Sequence, residues 1–228
     1  MAVDLNLLNA VTHVRPDTFE GGQGWTWVSD QNDMTWQFIC QDWVTHHKRT
    51  ITSLFPNKGR TVVQAGGNCG LYPALLSQYF AVVYSFEPDP VHFHCLTNNC
   101  QFPNIIKMQA ALGEAPGMAQ ISARYAGNTG MTQVATINGV DAIPVLTLDS
   151  FTFKELDLIW LDTEGFEQKI LRGGLQTLKD NNPKLLLELG DVVDGKPGNV
   201  QRVVDMLAEI GYSKVSRTGG EDYLIERE

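Results

Sequence analysis

The segment Val62-Val63-Gln64-Ala65-Gly66-Gly67-Asn68-Cys69-Gly70 carries the strongest local signal in the chain. The β-branched run Thr61–Ala65 reads as a short strand. The glycines read as a tight turn, and the apolar residues from Leu71 to Phe80 as a helix. A glycine turn lets the backbone approach a ligand closely. The helix that follows points free amides and a partial positive charge at any anionic group bound there. The spacing Gly66-x-x-x-Gly70 departs from G-x-G-x-x-G, so the ligand need not carry a pyrophosphate. The bland alternative is a tight connection with no ligand.

Alternation continues outward from this turn. Ala81–Phe86 is a second strand with Glu87 at its end and Asp89 close by. An acid at that tip accepts hydrogen bonds from both hydroxyls of a ribose. Pro88 and Pro90 open a helix that ends near Cys100, since proline is tolerated in a first turn. Ile105–Gln109 is a third strand, and the small residues Ala110 and Ala111, with Leu112, leave room beside it for a flat adenine. Residues 113–147 are rich in Gly, Ala, Thr and Asn, with short strands near Ala119–Ala123 and Ile143–Leu146. Then come a strand at Leu156–Leu161, a helix at Glu164–Asn181, a strand at Lys184–Leu189 and a helix at Gly198–Ile210. A hairpin closes the pattern: Tyr212–Arg217, a turn with Gly219 and Gly220, and Tyr223–Arg227. Strand–helix alternation with short links predicts an α/β fold with a parallel sheet. The hairpin makes it resemble the single-domain, seven-stranded class I methyltransferase sheet, a Rossmann-like fold with an antiparallel C-terminal hairpin. Residues 1–60 are expected to form an N-terminal helical extension or cap packed on a main domain at 61–228. Asp30 is its candidate helix cap, and Trp36, Ile39, Cys40 and Trp43 share one helical face.

Composition narrows the classes. The 228 residues suit one large domain, and 43% hydrophobic against 19% charged residues excludes long disorder. The net charge of −9 gives no general attraction to a phosphate backbone or an anionic membrane. Nucleic acid and membrane partners are therefore not expected. Four cysteines make no disulfide framework, and no signal peptide or apolar span is read. The expected compartment is the cytoplasm.

Four blocks then resemble the FkbM-type methyltransferases that use S-adenosylmethionine. They are Gly66-Gly67-Asn68-Cys69-Gly70; Phe86-Glu87-Pro88-Asp89-Pro90; Gln109-Ala110-Ala111-Leu112-Gly113; and Val145–Asp149 with Leu161-Asp162-Thr163-Glu164-Gly165-Phe166-Glu167 and Leu171-Arg172-Gly173-Gly174. Pro183 and Leu185–Leu189 continue the pattern. The resemblance implies S-adenosylmethionine as cofactor. It would be held by Gln64, Gly66, Gly67, Asn68, Gly70, Glu87, Pro88, Asp89, Ala110, Ala111, Leu112 and Asp162. The family's first-strand acid, which helps hold the cofactor's ammonium group, is Gln64 here. That replacement implies weaker binding. The resemblance also implies methylation of a hydroxyl oxygen on a saccharide or small metabolite.

Methyl transfer from a sulfonium depends on positioning, and an alcohol nucleophile gains from a nearby base. Sheet ligands bind beyond the carboxyl ends of the strands. Asp162 is therefore expected to touch the cofactor or the acceptor hydroxyl, and Glu164 is the candidate base or orienting group. Glu167, three residues on, is either a substrate contact or a first-turn carboxylate stabilising a helix. Glu188 is a weaker candidate at a strand end. Trp25 and Trp27 are the candidate platforms for a sugar face, with core packing as their alternative. His46 and His47 are read as a solvated helix end beside Lys48 and Arg49, and as a spare base only if that helix caps the site. His92, His94, Cys95 and Cys100 match no common zinc spacing, so no metal is expected.

Three other readings compete. A nicotinamide-dependent oxidoreductase is opposed by the missing fingerprint. A non-catalytic relative that binds S-adenosylmethionine has Gln64 as its support. A nucleic-acid methyltransferase is opposed by the charge.

Overall fold

The computed structural model describes residues 11–14, 25–28, 43–125, 128–136, 143–191, 193 and 197–228. The first described elements are a two-stranded ribbon, β1 (Val11–Val14) and β2 (Trp25–Val28), paired antiparallel. Helix α1 is Trp43–Leu54. The expected helix from Asp30 and the Trp36 face lie outside the described residues. Then come β3 (Gly59–Ala65), α2 (Leu71–Ser77), β4 (Phe80–Phe86), α3 (Pro90–Asn99), β5 (Ile105–Met108) and β6 (Ala111–Leu112). β7 (Gly117–Tyr125) and β8 (Asn128–Thr136) form a hairpin, followed by β9 (Ile143–Leu146) and β10 (Leu156–Leu161). The rest is α4 (Glu167–Arg172), α5 (Leu175–Asn181), β11 (Lys184–Glu188), α6 (Asn199–Ala208), β12 (Tyr212–Gly219) and β13 (Asp222–Arg227).

Seven strands form the main sheet in the order β12-β13-β11-β10-β3-β4-β5. β10, β11, β3, β4 and β5 run parallel, and β13 runs antiparallel between β11 and β12. This is the expected class I methyltransferase sheet. Strand residues alternate between its faces. Val63, Ile159, Leu161, Leu185 and Leu187 meet Leu178 of α5 with Val203 and Leu207 of α6. Val62, Leu158, Trp160 and Leu186 meet Ile51 of α1 with Ala74 and Leu76 of α2. Burying each such side chain stabilises the fold by about 1.5–3 kcal/mol.

Residues 111–146 add a small second sheet, in the order β6-β9-β7-β8, between the third and fourth parallel strands. The nine-residue strands β7 and β8 exceed the short strands read from sequence.

The single helix expected over Glu164–Asn181 is two. Gly173 ends α4, and a Cβ there would sit 2.1 Å from the Gly113 carbonyl oxygen. Gly174 lies against Leu148, 2.6 Å from where its Cβ would be. The chain breaks so that its backbone can approach the small sheet. Asp149 then accepts hydrogen bonds from the Gln176 and Thr177 amides at 3.2 and 2.7 Å, capping α5 from a distant segment. Among the described residues no helix is long and apolar enough to cross a membrane.

Candidate functional site

The turn after β3 is shaped by its glycines and by two neighbouring strand tips. Gly66 has φ +84°, and a Cβ there would lie 1.7 Å from the Asp162 carbonyl oxygen. Gly67 would meet the Ser85 hydroxyl at 2.7 Å and Leu96 at 2.5 Å. The Gly66 and Gly67 amides donate to the Phe86 carbonyl at 3.1 and 3.0 Å, and the Asp162 amide donates to the Ala65 carbonyl at 3.1 Å. The turn is thus stitched to the tips of β4 and β10. Gly70, at φ +100°, opens α2.

Glu87 sits at the end of β4, only 5% exposed. One carboxylate oxygen accepts the Asn68 amide at 2.7 Å and the other the Asp89 amide at 2.8 Å. Burial pushes its pKa up to about 8 against the pull of those amides. Each oxygen keeps a lone pair, since a carboxylate has about four acceptor sites. Asn68 stays half-buried at φ +45°, its side chain accepting the Cys69 amide at 2.6 Å. Pro88 is also half-buried.

Other residues expected to touch the cofactor are committed elsewhere. Asp89 is fully buried and caps α3, accepting the Val91 amide at 2.8 Å. Gln64 is fully buried and bonded within the turn itself. Ala110 and Leu112 pack into the first core and Ala111 against Ala119 and Val145, so their side chains serve packing.

The opposite side of the turn is acidic. Asp162, Glu164 and Glu188 are half-buried, and one oxygen from each lies within 4.8 Å of the others. Burial, then the Glu188 charge, holds Asp162 well above the usual carboxylate range. Glu164 is pushed up to about 7 by burial, then by Glu188, Glu167 and Glu221. Glu164 stands in the left-handed region at φ 53°, followed by Gly165 at φ 101°. Glu167 holds this turn: a single carboxylate oxygen accepts the Thr163 amide at 2.9 Å, the Thr163 hydroxyl at 2.7 Å and the Gly165 amide at 3.3 Å. Only 2% exposed, Glu167 is a loop brace in this arrangement and not a surface offered to substrate. Three carboxylates are a donor set that a hard cation takes; here they crowd one another, which favours proton uptake by Asp162 and Glu164.

The histidines correct the sequence reading. His47 is 3% exposed, not solvated, with Nε2 3.1 Å from an Asp222 carboxylate oxygen and its ring against Tyr72 and Trp160. Its partner lies 175 positions away, so no local pattern signals it. Trp27 is likewise buried, packed with Cys69 and Cys95, and Trp25 packs half-buried on the second core. Both are core in this structure. β2 is tied on through Asn99, which accepts the Thr26 amide at 2.7 Å and donates to the Thr26 and Cys69 carbonyls. His92 lies 4.0 Å from Asp89, and the Cys100 thiol meets the Gly70 carbonyl at 3.1 Å.

The domain family described as Methyltransferase FkbM domain matches residues 67–214. The chain belongs to the FkbM methyltransferase family. A solved FkbM methyltransferase from Methylobacillus flagellatus KT shares the fold at TM-score 0.53 and 17% identity, covering 74% of this chain. The chain spans 43% of that protein's length. A precorrin 8w decarboxylase from Methanobacterium thermoautotrophicum overlaps at TM-score 0.48 and 14% identity, over 80% of this chain and 89% of its own. A magnesium protoporphyrin IX methyltransferase from Synechocystis PCC 6803, solved with S-adenosylmethionine bound, overlaps at 0.47 and 13%, over 82% and 85%. No curated protein matches the sequence. Family membership decides against the nicotinamide oxidoreductase reading. It brings S-adenosylmethionine as the cofactor, and the residues fit it: a buried carboxylate with free lone pairs at the second strand tip, beside a turn whose glycines let it pack tightly on Asp162, Ser85 and Leu96.

Proposed function

We propose that this chain transfers a methyl group from S-adenosylmethionine to a hydroxyl oxygen of a saccharide or small metabolite. The observation that carries the reading is Glu164, a carboxyl held near pKa 7 beside Asp162, at the carboxyl edge of the strand that adjoins the Gly66 turn. A base is most effective when its pKa lies near the working pH.

When bound, S-adenosylmethionine supplies an activated methyl group on a sulfonium. Glu87 accepts the ribose hydroxyls through its remaining lone pairs, and its two amide donors fix where those lone pairs point. The Gly66–Gly70 turn and the start of α2 offer amides to the methionine carboxylate. Asp162 lies between turn and acceptor, its backbone bonded to Ala65. Glu164 takes the acceptor's proton, and Glu188 favours proton uptake by raising the local negative charge.

Incubation with S-adenosylmethionine and a panel of sugars, glycosides and hydroxylated metabolites, with S-adenosylhomocysteine measured as product, tests this. Turnover on a hydroxyl acceptor is expected, lost in Glu164→Gln. Tight binding of S-adenosylhomocysteine with no turnover on any acceptor would favour the non-catalytic relative. Methylation of amines alone would overturn the hydroxyl assignment.

A further inference from the structure

Gln64 occupies the position where the family carries an acid, and its surroundings show a different job. It lies on the second face of the sheet, in register with Trp160 on one side and Ser85 on the other, with no exposed surface. Its amide nitrogen donates to the Ala65 carbonyl at 3.1 Å and to the Gly66 carbonyl at 2.8 Å. Its amide oxygen accepts the Ser85 hydroxyl at 2.9 Å. Both amide hydrogens are thereby used, and with no exposed surface the side chain offers its remaining oxygen lone pair to no open space. The orientation is chemically forced, because the reversed amide would set its oxygen against two carbonyl oxygens. The Ser85 hydroxyl that aligns Gln64 also lies where a Gly67 side chain would go.

We propose, resting on the cofactor reading above, that Gln64 is a positioning residue: it sets the Gly66–Gly67 turn from beneath and does not touch the cofactor. Two carbonyls of the turn face inward toward a donor. A carboxylate at this position has no hydrogen to give them and brings a buried charge against their negative ends. Gln64 is therefore not an acid that has lost its charge. Restoring an acid undoes the turn that the cofactor needs.

The test measures S-adenosylhomocysteine affinity by calorimetry at pH 8 for the whole chain and for Gln64→Glu, Gln64→Met and Ser85→Ala. Hydrogen exchange at the Gly66 and Gly67 amides is followed without ligand. Gln64→Glu and Gln64→Met are both expected to weaken binding about tenfold or more, and Ser85→Ala about threefold. All three speed exchange at Gly66 and Gly67. Gln64→Glu binding as tightly as the unmodified chain, or tighter, overturns the proposal, because an acid facing the cofactor's ammonium would do that. Normal binding by Gln64→Met overturns it too, since the two donated bonds would then be dispensable. Should the Gln64 variants fail to fold, Ser85→Ala decides: unchanged exchange and unchanged affinity sink the brace. If the unmodified chain binds no S-adenosylhomocysteine, the cofactor reading falls, while the exchange comparison still judges whether Gln64 holds the turn.

Discussion

At the tip of β4, Glu87 is held by donors: two backbone amides bind its two oxygens, and the carboxylate itself is buried. At the tip of β10, Asp162 and Glu164 face the like-charged Glu188, half open to water. Both tips raise carboxyl pKa values, by different routes. Around Glu87 desolvation, with a smaller push from Asp89, works against two favourable hydrogen bonds, whereas around Glu164 three neighbouring acids add repulsion to burial. A carboxylate held by fixed amides keeps its geometry through a catalytic cycle, as a binding group must. A cluster of mutually repelling acids gains or loses protons readily, as a proton acceptor must. On the proposed reading, the two tips divide the work of holding and of reacting.

The largest effect should come from the turn that joins them. Gly66→Ala puts a methyl group onto the Asp162 carbonyl and forces a positive φ on a residue with a side chain. It is expected to abolish S-adenosylhomocysteine binding by calorimetry and to lower stability by about 3 kcal/mol or more. A variant that binds normally would show that the two tips are not coupled through this turn. Next is Glu87→Gln. Its nitrogen must face one of the two amides that now donate, so affinity should fall about 10–100-fold, or roughly 1.4–2.8 kcal/mol. Unchanged affinity would remove Glu87 from the holding side.

Asp162→Ala should separate the two roles. Turnover is expected to drop about 100-fold or more, yet the cofactor-free melting temperature at pH 8 should hold or rise, because a crowded charge is gone. A marked fall in melting temperature would mean that the acid cluster is structural. The pH profile tests both tips together. Glu87, Asp162, Glu164 and Glu167 all have folded pKa values above their unfolded ones. The folded state therefore binds more protons, and stability falls as pH rises from about 4.5, through the value of about 7 for Glu164, to about 8 for Glu87. Each pKa unit is worth about 1.4 kcal/mol, or about 3–6 °C for a chain of this size. Melting temperatures measured from pH 5 to pH 9 should decline without ligand. A flat or rising profile would show that these acids are already ionised and paired. Glu164→Gln should flatten the part of the decline below pH 7.

The strand–turn–helix around Gly66 was legible because β-branched runs and glycines act locally. Ile143–Leu146 and Leu156–Leu161 match the observed strands for the same reason. What stayed hidden depends on contacts between distant segments. The break at Gly173 answers to Gly113, and helical spacing runs straight across it. The charged neighbours Lys48 and Arg49 made His47 look wet, although Asp222 buries it. In the site, Glu87, Asp162 and Glu164 could be placed by their positions at strand tips. The direction of the Gln64 amide, the capping by Asp89 and the bracing by Glu167 are set by partners in the turns, which residue type and spacing do not reveal. Residues 113–147 carry a hairpin whose pairing rests on register rather than on any motif.

The position of β13 has a consequence for biosynthesis. This strand, the last in the described order, is wedged between two others and supplies the edges on which both β11 and β12 pair. A nascent chain that has delivered everything up to Gly219 still exposes the open flank of β11, with Leu185 and Leu187 lacking Ile225 and Tyr223 beside them. Closure of the sheet waits on Asp222–Arg227, so the tip bearing Glu188 acquires its Asp222 neighbour only after every other strand of that sheet has been made.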